Sequence, residues 1–169
     1  MGLACGAPAA AQKVEREFGI SRDEVPAPVF AFLDSAFAGA DLRRERYYAD
    51  VGAPADTVIE AKFLAGDRRY SVEFDPSGRW LNTEVEVAVR DVPTAVWAEA
   101  CASWSRRYSR FRIARVQLHR GRGGEAYYEV EVRTRRDFEW DRYEVAIAPD
   151  GRLLREELVE LAPGHLDRW

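Results

Sequence analysis

The stretch Tyr70–Leu81, YSVEFDPSGRWL, constrains this chain most, because a second version follows 73 positions later as Tyr143–Leu154, YEVAIAPDGRLL. Tyr, Val, Pro, Gly, Arg and Leu recur in step. In Tyr70-Ser71-Val72-Glu73-Phe74 apolar and polar residues alternate, as a half-buried strand requires. Asp75-Pro76-Ser77-Gly78 carries turn chemistry: Asp bonds the backbone ahead of it, Pro presets φ, and Gly tolerates positive φ. From Arg79 to Val89 the alternation resumes, with Leu81, Thr83, Val85, Val87 and Val89 on one side and Asn82, Glu84 and Glu86 on the other. The pattern predicts an antiparallel hairpin with one wet face. Ala148-Pro149-Asp150-Gly151 makes the second turn.

The rest of the chain follows the same doubling. Ser21–Glu24 has the S-x-x-E capping-box pattern before Val25-Pro26, and Val29, Phe30, Leu33 and Phe37 fall on one helical stripe, with Gly39 as the stop. Strands are predicted at Arg43–Val51, Thr57–Phe63, Arg69–Phe74 and Trp80–Val89. The cycle then restarts: Asp91-Val92-Pro93 repeats Glu24-Val25-Pro26 at a shift of 67. Asp91 caps a helix that Pro93 opens, and Trp97, Ala100, Cys101 and Trp104 form its stripe. Strands at Phe111–His119, Ala126–Arg133, Phe138–Ile147 and Leu153–Leu161 complete it. The expected fold class is α+β: two tandem repeats of one helix plus four antiparallel strands, helices packed on one face of the sheet. The first repeat is expected at 13–90 and the second at 91–162, between an N-terminal segment, 1–12, and a tail, 163–169.

At 169 residues with 47% hydrophobic content, the chain holds one ordinary domain or two small ones of about 70 residues each. A net charge of −4 lacks the basic excess of a nucleic-acid binder. Lys13 and Lys62 are the only lysines among 25 basic residues. GC-rich codon usage explains that, and so does a need for bidentate contacts to carboxylates, which lysine cannot make. Cys5 and Cys101 read as unpaired thiols, Cys101 as a buried structural one. No apolar run approaches the ~20 residues needed to span a membrane. Met1–Gln12, MGLACGAPAAAQ, matches the end of an export signal, with the small residues of a cleavage site, or an Ala-rich disordered tail.

Helix with V-P-x-x-V, then strands ending in Tyr-x-Val-x-Phe-x-Pro-x-Gly-Arg, resembles the PepSY-like domains of bacterial envelope proteins. The tandem arrangement resembles the β-lactamase-inhibitor-protein (BLIP-like) fold. Val25-Pro26, Tyr70–Trp80, Val92-Pro93, Tyr127-Tyr128-Glu129-Val130 and Tyr143–Leu154 carry the resemblance. It implies export to the periplasm or beyond and no enzymatic activity, with inhibition of an envelope hydrolase or peptidase as a family possibility.

No catalytic, metal or cofactor motif is present. His119 reads as a strand-end histidine and His165 as part of the tail, neither with a metal-ligand spacing. Glu84/Glu86, Glu129/Glu131 and Asp150/Glu156/Glu157 supply carboxylate pairs for glycosidase-type work, though Glu alternating on a strand is also what a solvated face requires. Gly121-Arg122-Gly123-Gly124 precedes a strand, not a helix, and so reads as a hairpin loop and not a phosphate cradle. If Tyr70, Val72, Phe74, Tyr143, Val145 and Ile147 face the helices, parity turns Ser71, Glu73, Arg142 and Glu144 to the open face. Trp140 and Tyr127 go with them, and Trp80 too if Leu81, Val85 and Val87 point inward. Aromatic residues rimmed by arginine are interface composition, so Trp80, Tyr127, Trp140 and Arg142 are the expected contact residues. Arg106, Arg107, Arg110 and Arg112, interleaved with Trp104, Tyr108 and Phe111, form a second patch. The expected partner is a protein or peptide, with no nucleic acid, no membrane span and no cofactor. The alternatives are a hydrolase using a carboxylate pair on the sheet and a purely structural scaffold.

Overall fold

A computed structural model describes residues 11–15, 17–51, 57–108, 110–136 and 139–161. In chain order the elements are β1 Ala11–Glu15, β2 Glu17–Ile20, α1 Ala27–Ala36, β3 Leu42–Val51, β4 Thr57–Ala65, β5 Arg68–Phe74, β6 Trp80–Glu86, α2 Thr94–Arg107, β7 Phe111–Gly121, β8 Ala126–Arg136, β9 Glu139–Ile147 and β10 Leu153–Leu161. They form a single sheet in the order β1-β10-β9-β8-β7-β6-β5-β4-β3-β2. The nine strands β2 to β10 run antiparallel, and β1 lies parallel on β10.

This overturns the expectation of two repeats, each a helix plus four strands. The architecture is a nine-strand antiparallel sheet with two short helices against it, extended by the parallel strand β1. The seam disappears because β6 pairs with β7 from Asn82↔Gly121 to Glu86↔Gln117. An edge left there would carry a row of unsatisfied backbone groups. The expected boundary at 90/91 falls in a short 3₁₀ turn, Val89–Asp91.

The N-terminal strands were not anticipated. Glu15 stands opposite Leu161 on one edge strand, and Glu17 stands opposite Asp50 on the other. Consecutive Cα atoms are about 3.8 Å apart, so the two edges of the sheet converge on one short piece of chain. The sheet therefore curls, and the segment covers both of its edges.

Both helices share one face. Tyr70, Val85, Leu118, Tyr128 and Ile147 are successive cross-strand partners, and directly opposed residues point the same way. Along this face Val29 and Leu33 of α1 meet Ile59, Phe63, Val72 and Phe74, with Phe30, Phe32 and Phe37 beside them. Val96, Ala100 and Trp104 of α2 meet Val116, Val130, Val132, Val145 and Ile147. The predicted stripe of α2 omitted Val96, which is fully buried, and Cys101 is half-buried, not a core thiol.

The helices begin later than their caps suggest. Ser21 and Glu24 do form a capping box, but it closes a 3₁₀ turn, Arg22–Glu24. Asp91 likewise ends a 3₁₀ turn. The residue before a proline is driven out of the helical region, and Val25 and Val92 are extended, at ψ 129° and 131°. Each helix then restarts with Pro26 or Pro93 as its N-cap. The two repeated turns dock on those helix starts. Gly78 has φ 81°, and a Cβ there would lie 3.3 Å from the Val29 nitrogen. Gly151 has φ 92°, and its Cβ would lie 2.9 Å from the Ala95 carbonyl oxygen.

Candidate functional site: the open face of the sheet

The face away from the helices carries a polar lattice. Arg46, Lys62, Ser71, Glu84, His119 and Tyr127 are successive cross-strand partners from β3 to β8. Glu60 accepts a short hydrogen bond from the Ser71 hydroxyl and pairs with Lys62 at 2.9 Å. The Asn82 amide donates to Glu73 at 2.5 Å. Gln117 donates to one Glu84 oxygen at 2.9 Å, and His119 Nδ1 lies 3.4 Å from the other. The His119 ring stacks on Tyr127, centroids 4.2 Å apart.

Across β7 to β10 the pattern becomes carboxylate against guanidinium. Glu131 receives Arg133 at 2.8 Å and Arg115 at 3.3 Å. Glu144 receives Arg142 at 2.9 Å. Arg155 reaches Glu129 at 3.5 Å and Glu157 at 3.0 Å. No helix covers these side chains, yet Glu131 and Glu144 are only 6% and 4% exposed. The arginines paired with them help to keep water off them. Burial, and then the nearby Glu129 carboxylate, push the Tyr127 hydroxyl up to about 12.

The structure distributes the expected contact residues unevenly. Tyr127 and Arg142 lie on the open face, as do Ser71, Glu73 and Glu144. Trp80 does not. A bulge between Glu73↔Asn82 and Phe74↔Trp80 leaves Leu81 without an opposed partner. One extra residue inverts the parity of everything before it. Trp80 therefore turns toward the helices, stacks on Phe32 at 5.5 Å and donates its indole N–H to Thr83. Arg110 and Arg112 are exposed at the start of β7. The side chains of Trp140, Arg106 and Arg107 lie outside the described residues. His119 is not a strand-end surface residue: it sits inside β7 and is 7% exposed.

Glu129 and Glu131 are each held by arginine, so the predicted carboxylate pair on β8 is two ion pairs. Sequence reasoning set Glu84 on the wet side of its hairpin but missed Arg133 and Arg155 as members of the lattice. Their signal was the alternation of Glu and Arg on strands that become neighbours, legible only once the pairing is known. Among the described residues no three His, Cys, Asp or Glu side chains are placed to hold a metal ion. None of the described helices is long and apolar enough to cross a membrane.

No family profile and no curated protein matches this chain in sequence. Solved structures do match it in fold. A DUF2874 family protein from Bacteroides uniformis superposes with a TM-score of 0.61 at 22% identity, over 79% of this chain and 89% of the other. A BLIP-like protein from Bacteroides fragilis gives 0.58 at 19% identity, over 86% and 94%. A protein of Bacteroides eggerthii whose name assigns it to the periplasm gives 0.56 at 19% identity, over 79% and 88%. The likeness supports the BLIP-like fold.

Proposed function

We propose that the chain is an exported, non-enzymatic binding protein of the bacterial cell envelope that holds a protein or peptide on the open face of its sheet. One observation carries this reading: side chains uncovered by any helix are locked in place by one another. A preorganised polar surface loses little side-chain entropy when a partner docks, and its fixed charges select the partner by complementarity. Each carboxylate of the face that is engaged by arginine is committed to an ion pair, which supports binding over acid–base catalysis. The periplasmic name of one fold neighbour and the BLIP-like name of another support export and protein binding. Inhibition of an envelope hydrolase or peptidase is a special case of the same reading. Tyr127, Trp140 and Arg142 are the proposed central contacts, and Arg106, Arg107, Arg110 and Arg112 are proposed as a second patch.

Affinity capture tests it. The full chain is immobilised, envelope extract is passed over it, and a Tyr127→Ala/Trp140→Ala variant is run in parallel, its fold checked by circular dichroism. A protein retained by the wild type and lost from the folded variant is the expected result. Equal retention by both overturns the assignment of the face.

A further inference from the structure

On the open face, where β3, β4 and β5 meet, lies a pocket of about 220 Å³ lined by Arg44, Arg46, Tyr48, Lys62, Phe63, Leu64 and Arg69. Four of these seven carry positive charge, and no carboxylate lines the pocket. We infer that this pocket is the anchor for an acidic residue of a peptide partner, whose carboxylate is gripped by Arg44. The inference rests on the reading of the open face as the binding surface and adds the chemistry of what binds there.

The backbone gives the second, independent observation. Among the described residues Arg44 is the one non-glycine residue with positive φ, at 58°. It occupies a bulge: Arg43 opposes Leu64 and Arg46 opposes Lys62, so Arg44 and Glu45 together face the single residue Phe63. Bulges re-aim side chains. A left-handed arginine is strained and persists where the surroundings impose it, often at functional sites. The extra residue also sets Arg43 and Arg46 on the same face, which one uninterrupted strand would not do. Glu45 points the other way, to Arg22 at 2.8 Å and the Tyr47 hydroxyl at 2.6 Å. The bulge thus removes the nearest carboxylate from the pocket as it delivers the guanidinium.

The neighbours are already oriented. Lys62 is fixed by Glu60 and lies over the Tyr48 ring at 4.9 Å. Arg69 is held by Glu86 at 3.4 Å. Arg44 makes no hydrogen bond or ion pair within the described residues. A planar guanidinium matches a carboxylate with two parallel hydrogen bonds, and the pocket volume suits one such group. The arginine bias of the sequence has a use here, since lysine cannot form that fork.

The test is a binding titration of the full chain with a fluorescein-labelled peptide containing a run of glutamates. The same peptide with glutamines and a single-stranded oligonucleotide of equal length are run beside it. Arg44→Gly keeps the left-handed backbone without strain and deletes the guanidinium, so the variant folds; Arg44→Lys keeps charge without the fork. The expected result is salt-sensitive binding of the glutamate peptide alone. Affinity should fall roughly tenfold or more in Arg44→Gly and by less in Arg44→Lys, as for loss of a charge-assisted bidentate contact. Tyr127→Ala is run as the probe of the rest of the open face, and Ser35→Ala, exposed on α1 on the opposite side of the sheet, should leave affinity unchanged. Equal binding of both peptides, tighter binding of the oligonucleotide, or unchanged affinity in Arg44→Gly overturns the inference. A glutamate peptide lost from Tyr127→Ala but kept by Arg44→Gly overturns it too, while leaving the open face as the binding surface.

Discussion

The two faces of β8 bury side chains equally well by different means. Val130 and Val132 point to α2 and are 1% and 0% exposed, whereas Glu129 and Glu131 point away and are 8% and 6% exposed. The valines are covered by a helix; the glutamates are covered by arginines. Burying a valine contributes about 1.5–3 kcal/mol, because nothing is lost when its water leaves. Burying a carboxylate costs several kcal/mol of hydration, which its ion pair only offsets. The apolar face therefore sets the stability of the fold. The polar face, near neutral in energy, sets what the surface can recognise. Low exposure alone does not distinguish a core from a site; the chemistry of the cover does.

The largest break in that comparison is on the apolar face. Phe74 is fully buried and meets Phe32 edge-on at 5.5 Å. Phe74→Ala should cost about 3–5 kcal/mol, measured as a lowered denaturation midpoint with little change in slope. On the polar face the same strength of burial should give less. Glu131→Gln leaves Arg115 and Arg133 against a neutral amide and should cost about 1–3 kcal/mol, reduced from the value for a fully buried pair because both arginines are partly exposed. Replacing Glu131 by Leu and Arg115 by Met together should recover most of that loss, since an apolar pair needs no rehydration on unfolding. A double variant as unstable as Glu131→Gln would mean that the lattice does stabilise the fold.

Much of the apolar face was legible, and little of the polar one. Strand alternation located eight strands with their ends nearly in place, because a half-buried strand must alternate. Trp80 was placed on the wrong face because the Leu81 bulge leaves no trace in alternation: Trp80-Leu81 reads as two apolar residues either way. β1 and β2 escaped because AQKVE and EFGI are short and lack a turn between them, and their role depends on edges formed by residues far along the chain. Glu129 and Glu131 read as a solvated face, since nothing local says that Arg115 and Arg155 will lie across them. Arg44 gave no warning at all: positive φ is announced by Gly or Asn, and here it is imposed by pairing.

The smallest effect separates the faces by pH. Tyr127 is the member of the polar face whose hydroxyl is pushed from 10 up to about 12, by burial and then by Glu129. A folded pKa raised above the unfolded value contributes stability that is whole below pH 10 and is lost as pH rises to about 12. With allowance for the remaining solvent exposure of the ring, the loss should be about 1 kcal/mol. Tyr127→Phe should abolish that part of the alkaline destabilisation and remove a late tyrosinate absorbance step, while leaving the midpoint at neutral pH nearly unchanged. The apolar-face variant Phe74→Ala should instead lower stability by the same amount at pH 7 and pH 11. Parallel alkaline losses in wild type and Tyr127→Phe would show that the ring is wetter than its stacking on His119 implies, and that the lattice around it opens to water.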